Sequence, residues 1–150
     1  MPDPAHDILV WFENDFVPLR DAKLSVLTHA LNYGTGVFEG IRGYWSEEDH
    51  DLYLLRCEEH FRRWKTNCGI LDIDPPRSAH ELAELTAELC RLNHFHSDVY
   101  VRPLAYMSAA RIGVWPDGKH SFAIVAFPYG VYMESTHGIH AGVVSWRRLV

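Results

Sequence analysis

The run Ala30–Trp45, ALNYGTGVFEGIRGYW, constrains the fold more than any other stretch of the chain. Val37, Phe38, Ile41, Tyr44 and Trp45 favour a strand. Gly34, Gly36, Gly40 and Gly43 interrupt them, and a glycine inside a strand adds no packing and marks a bulge or a close approach. With the period of two that a strand imposes, Gly36, Phe38, Gly40, Arg42 and Tyr44 share one face, and Val37, Glu39 and Ile41 the other. A face that sets Phe, Arg and Tyr between glycines leaves room for a flat ligand against backbone. A Gly-rich strand that only twists around a hairpin is the alternative reading.

The pattern on either side is mixed. ILVWF, END and FVPL read as a hairpin. DAKLSV continues extended, THALNYG forms a short helical turn ended by Gly34, and GVFEGIRGYW reads as one strand, followed after SEEDHD by LYLLR. Cys57, Phe61, Trp64 and Cys68 fall at i, i+4, i+7 and i+11, a single helical stripe with Gly69 as its stop. Ser78 with Glu81 three residues on is a capping box, and it opens a helix whose buried stripe is read as Leu82, Leu85, Leu89 and Leu92. DVYVRPLAYMSA alternates as a strand, and SFAIVAF, almost entirely apolar, reads as a central strand covered on both faces. IHAGVVSW opens another strand close to the end of the sequence, which suggests a piece of a longer chain. Hairpins with two helices between them place the fold in the α+β class.

The 150 residues suit one domain, or one and a piece, and nearly half are apolar. No run of about eighteen apolar residues predicts a spanning helix, and MPDPAHDILVWFEND lacks the pattern of a secretory signal. Cys57, Cys68 and Cys90, odd in number and widely spaced, read as reduced, buried thiols of a cytosolic protein. A net charge of −6 without basic blocks argues against a nucleic-acid surface. Neither nucleic acid nor membrane is expected as a partner.

Three groups of side chains could carry chemistry. Tyr100, Arg102 and Leu104 share a strand face, and a phenol and a guanidinium two residues apart can converge on a carboxylate; a structural arginine on a solvated face is the alternative. His60, Arg63 and Asn67 flank the apolar stripe of the first long helix, where a guanidinium could reach a phosphate dianion. The competing reading is a surface ion pair of Arg63 with Glu59. His94 and His96 have H-x-H spacing, but no cysteine or carboxylate lies at ligand spacing, so no metal site is expected.

Together, THALNYGTGVFEGIRGYW, LYLLRCEEHFRRWKTNC, VYVRPLAYMSAARIGV and AFPYGVYM resemble the class IV pyridoxal-phosphate-dependent aminotransferases, and among them most nearly the branched-chain amino acid aminotransferases. The resemblance runs from about Trp11 to Trp146. It implies a fold type IV small α/β domain over residues 1–130, an antiparallel sheet with two helices. Residues 131–150 would be an interdomain connector and the start of a truncated large domain. It implies the cofactor pyridoxal 5'-phosphate (PLP), with Arg63 on its phosphate rather than the adjacent Arg62. It makes Tyr33, Phe38 and Gly40 a wall of the substrate pocket, and Tyr100 and Arg102 the pair that orients substrate carboxylates. Tyr129 and Tyr132 would lie on the interdomain loop, and RIGVWPDG would reach the neighbouring subunit's site in a homodimer.

The reaction implied is transamination of branched-chain L-amino acids (leucine, isoleucine, valine) with 2-oxoglutarate. A D-amino-acid transaminase, an aminodeoxychorismate lyase of the same fold, and a non-catalytic dimerisation module are the alternatives. Such chemistry needs a Schiff-base lysine. Lys23, Lys65 and Lys119 are the only lysines, and none sits where the resemblance requires one. That lysine is expected beyond Val150, so the piece alone is expected to be inactive.

Overall fold

The computed structural model describes residues 8–114, 118–129, 138 and 140–145. Leu9–Phe12 (β1) and Asp15–Pro18 (β2) form the expected hairpin. Its turn residues Glu13 and Asn14 have φ of 49° and 74°, both positive as the two-residue turn matching strand twist requires. DAKLSV does not continue as a strand. Leu19–Asp21 is a 3-10 turn, and the Lys23 N–H folds back onto the Asp21 carbonyl, 2.9 Å away, which turns the chain. The predicted helical turn is present as His29–Tyr33 (α1), closed at Gly34.

The glycine-rich run is two strands, not one: Gly36–Phe38 (β3) and Ile41–Ser46 (β4). Both pair antiparallel with the long strand Val99–Met107 in a single register, Phe38 opposite Leu104 and Ile41 opposite Val101. Glu39 and Gly40 therefore fall across from Pro103 and Arg102. The Glu39 N–H donates to the Pro103 carbonyl at 3.2 Å, but Pro103 has no N–H to return, so the ladder opens there.

Asp51–Leu54 (β5) pairs with β4, and Cys57–Ile70 (α2) follows. All four residues of the predicted stripe of α2 are buried. The helix runs through Gly69. Asp72, at φ 55°, takes the left-handed position that ends it, and the Ile73 N–H returns to the Cys68 carbonyl. In Ala79–Leu92 (α3) both bonds of the Ser78–Glu81 capping box are made. The buried side of α3 is Leu82, Thr86, Leu89 and Cys90 rather than a purely leucine stripe, and Leu92 is exposed. The Thr86 hydroxyl donates back to the Leu82 carbonyl at 2.7 Å, so a threonine can stand in the core without an unsatisfied group.

Val99–Met107 (β6) and His120–Pro128 (β7) complete seven strands, ordered β2–β1–β7–β6–β4–β5 with β3 also on β6. One face carries α2 and α3 over a core that includes Trp11, Ile41, Phe61, Trp64, Leu82, Leu89, Val101 and Ile124. The architecture is α+β, as the pattern implies. β7 is central, but helices cover only one of its faces: Phe122, Ile124 and Ala126 are buried, while Val125 and Phe127 on the other face are half-buried. Phe38, Tyr44 and Tyr53 on that open face are 61%, 46% and 54% exposed. Residues 140–145 form no strand: an isolated apolar segment has no ladder to join, and Val143 and Val144 are exposed. No described helix is long and apolar enough to cross a membrane.

Candidate active site

The open face of the sheet gathers five of the residues singled out from the sequence: Phe38, Gly40, Tyr100, Arg102 and Tyr129. The Tyr100 hydroxyl accepts from Arg102 Nε at 3.2 Å and Nη2 at 2.7 Å. The Arg102 guanidinium lies over the Phe38 ring, 4.4 Å from its centroid, so ring and phenol together fix the plane of the fork. A Cβ at Gly40 would stand 2.4 Å from Tyr100 Oη. The space beside Gly40 is thus taken by the phenol and is not open to a ligand directly, which corrects the expectation from the glycines alone. Gly43, on the helix-covered face, is likewise filled: a Cβ there would meet Val99 Cγ2 at 2.6 Å.

Around this pair lies an aromatic patch. The Tyr100, Phe127 and Tyr129 rings stand 5.4–5.8 Å apart, and the Arg42 guanidinium sits 5.4 Å above the Tyr129 ring. Arg42 Nη2 also stands 3.8 Å from Asp98 Oδ2, and the Asp98 carbonyl accepts the Tyr129 N–H. Tyr129 is therefore part of the same surface, whereas Tyr132 lies outside the described residues. Tyr33 makes other contacts. Its hydroxyl accepts the Gly113 N–H at 2.9 Å and its ring lies 4.6 Å from His29, which ties α1 to the RIGV segment. No hydrogen bond or ring contact among the described residues joins it to Phe38, Tyr100 or Arg102.

Arg63 approaches the same strand break from the helix layer. Its partner is Glu39, not Glu59, which pairs with Arg56. Arg63 Nε meets Glu39 Oε2 at 2.7 Å and Nη2 meets Oε1 at 2.8 Å, a two-pronged guanidinium–carboxylate pair. The neighbouring Arg62 is spent on Glu58, one helical turn back. Alternation sets Glu39 on the inner face between Val37 and Ile41, but nothing local in the sequence names its partner. A carboxylate there must find a charged partner, and that signal could have pointed to a pair. Glu39 and Gly40 are adjacent, so Arg63 and Tyr100 are seated on the two halves of one interruption in the sheet.

Burial pulls the Glu39 carboxyl upward, but the bonds from Arg63 and the Gly40 N–H outweigh it and hold the group below its ordinary value of 4.5. A depressed folded-state value means stability that is complete above the unfolded value and lost as pH falls through the folded one. The melting temperature of the protein should therefore exceed that of its Glu39→Gln variant near pH 7, with the gap closing below about pH 4. A gap that persists undiminished at about pH 3 would contradict the ion pair's contribution.

Lys65 Nζ, half-buried rather than solvent-facing, donates to the Pro75 carbonyl at 3.2 Å and to the Arg77 carbonyl, where it holds the α2–α3 connection. Lys23 and Lys119 are exposed. Burial pushes the Cys57 thiol up to about 12 and Cys68 and Cys90 up to about 11, so none is a ready nucleophile. His96 stacks on Trp45 with ring centroids 5.0 Å apart. Both residues line a cavity of about 620 Å³ between β5 and α3, on the helix-bearing side of the sheet, away from Tyr100 and Arg102. Among the described residues no cluster of three or more His, Cys, Asp or Glu side chains could hold a metal ion.

Comparison with known proteins adds the family context. No family model matches the chain. It is 41% identical over 139 residues to a probable branched-chain-amino-acid aminotransferase of Aquifex aeolicus, covering 92% of this chain and 45% of that protein. With the branched-chain-amino-acid aminotransferase of Escherichia coli K12 it shares 37% identity over 144 residues, 93% of this chain and 46% of the relative. The chain thus spans about half the length of the curated relatives it matches. Its fold superposes on the branched-chain aminotransferase of Thermoproteus uzoniensis, solved with norvaline, at a TM-score of 0.86 and 42% identity, covering 95% of this chain and 47% of the other. The branched-chain amino acid aminotransferase of Thermobaculum terrenum, solved in its PLP form, gives 0.74 and 28% over 84% of this chain and 41% of that one. By sequence and by fold, the chain is homologous to these enzymes, and its sheet with two helices matches their fold type IV small domain.

Proposed function

We propose, from homology of nearly the whole chain to branched-chain-amino-acid aminotransferases, that the protein carrying these residues moves the amino group of leucine, isoleucine or valine onto 2-oxoglutarate. This chain supplies the phosphate anchor for PLP and one edge of the substrate pocket. The observation that carries the reading is the Tyr100–Arg102 pair, clamped over Phe38 and Gly40 on a face rich in aromatic rings. Such a face accepts an aliphatic side chain against its rings, and its guanidinium accepts the second carboxylate of 2-oxoglutarate or glutamate.

The residues fit the cofactor's phosphate. Arg63 is bound to Glu39 along one edge, and its side chain is 62% exposed, so the other edge is open to an anion. When bound, PLP supplies the electron sink that makes the substrate's Cα–H bond labile. Arg63 holds and orients, Tyr100 and Arg102 select and align carboxylates, and Phe38 and Tyr129 exclude water from the apolar side. Residues 1–130 form the small domain in this reading, and 131–150 the connector and the beginning of the large one. The Schiff-base lysine then comes from outside residues 1–150. Tyr33 adds to the pocket wall, and the RIGV segment anchored by its hydroxyl reaches a second subunit of a cytosolic homodimer.

The test is an assay of the complete protein with PLP, 2-oxoglutarate and each candidate amino donor. Conversion of leucine, isoleucine and valine to their 2-oxo acids with formation of glutamate is expected. Turnover confined to D-amino acids or to aminodeoxychorismate, or none at all, would overturn it.

A further inference from the structure

We infer that Glu39 is the positioning residue of the cofactor-phosphate contact: it grips Arg63 along one edge and so presents the other edge, Nη1, to the phosphate. The inference rests on the role proposed above for Arg63 and extends it to a residue on the opposite element.

Three observations carry it. First, Glu39 is the fixed partner of the two. Its side chain is 10% exposed against 62% for Arg63, and its two oxygens take Nε and Nη2 at 2.7 and 2.8 Å. Second, the carboxylate is itself locked. Oε1 also accepts the Gly40 N–H at 2.9 Å, and His60 Nδ1 stands 3.5 Å from that oxygen and 3.3 Å from Arg63 Nη2. Third, the grip occupies Nε and Nη2 and leaves Nη1 as the part of the guanidinium turned away from the carboxylate.

A long arginine on a helix surface would otherwise lose its rotational freedom only when the phosphate arrives, a cost of about two- to tenfold in affinity per immobilised side chain. Glu39 imposes that order during folding instead. The opposing effect is repulsion between the carboxylate and the phosphate dianion across the guanidinium. The Arg63 guanidinium stands between the two anions and offsets that repulsion, so ordering dominates and loss of Glu39 weakens phosphate binding. The same carboxylate seats Gly40, against which Tyr100 packs, so it braces both sides of the strand break.

The test titrates the complete apoprotein with PLP and with pyridoxal, which lacks the phosphate, following the absorbance of the bound cofactor. Glu39→Gln should weaken PLP by about five- to tenfold and leave pyridoxal within about twofold. In an Arg63→Ala background, Glu39→Gln should add no further loss of PLP affinity. Equal weakening of both ligands would mean a merely structural role and would overturn the inference. So would unchanged or tighter PLP binding in Glu39→Gln when Arg63→Ala alone weakens it. If Arg63→Ala leaves PLP affinity intact, the phosphate role of Arg63 itself fails and the inference with it. Should Glu39→Gln not fold, the ratio is read on Glu39→Asp, which keeps the charge but retracts the fork. A loss selective for PLP is again expected, and none would overturn the inference.

Discussion

Replacing Arg63 with alanine is expected to weaken PLP binding by the complete protein by about a hundredfold, the scale of losing a charge-assisted contact to a phosphate. The variant should also melt lower, because Glu39 is left with its carboxylate buried and without its cation. A stranded buried acceptor costs about 1–3 kcal/mol. The two effects separate in the double variant Glu39→Gln with Arg63→Ala, which removes the stranded charge. Its melting temperature should recover most of the loss while its PLP affinity stays low. Affinity that recovers together with stability would show that Arg63 serves only the fold. Cofactor absorbance and a thermal melt of the apoprotein read the two quantities independently.

Gly40→Ala should mimic the loss of Arg102. The added methyl would stand 2.4 Å from Tyr100 Oη, well inside contact distance, so the phenol must move. The ring has little room to do so, with Phe127 and Tyr129 tilted against it at 5.8 and 5.4 Å. A displaced hydroxyl gives up both bonds from Arg102, and the guanidinium is left on Phe38 alone. Misplacing an orienting group by about 1 Å can cost two orders of magnitude. For Gly40→Ala, as for Arg102→Ala, kcat/KM in the 2-oxoglutarate half-reaction should fall by about 10- to 100-fold. PLP affinity should stay within about twofold, because the added methyl meets Tyr100 and not the Glu39–Arg63 pair. Wild-type kcat/KM for 2-oxoglutarate in Gly40→Ala would show that the phenol–guanidinium pair does not align the substrate.

What could be read from the sequence is what local physics dictates. Cys57, Phe61, Trp64 and Cys68 were legible as one buried stripe because helical spacing alone puts them together. The Ser78–Glu81 cap is a four-residue event. Phe38, Gly40, Tyr100 and Arg102 emerged on one face because strand alternation is strict and the register of β3 and β4 on β6 is unbroken. What was missed depends on residues distant in the chain. The break in the glycine-rich strand comes from Pro103, which only pairing places opposite Glu39. Arg63 was set beside Glu59 because one helical turn is visible in sequence, while its true partner lies 24 positions away. Thr86 entered the buried side of α3 because its hydroxyl is satisfied within its own helix. The open face of β7 has the apolar composition of a covered one, and composition does not say where the cover comes from.

Both halves of the proposed site can be seen at once in a crystal structure of the complete protein with PLP and a dicarboxylate substrate analogue. The phosphate should accept hydrogen bonds from Arg63 while Glu39 keeps its grip, and the analogue's distal carboxylate should lie against the Tyr100 hydroxyl and Arg102. A phosphate bound with no contact to Arg63, or an analogue seated away from Tyr100 and Arg102, would contradict the site.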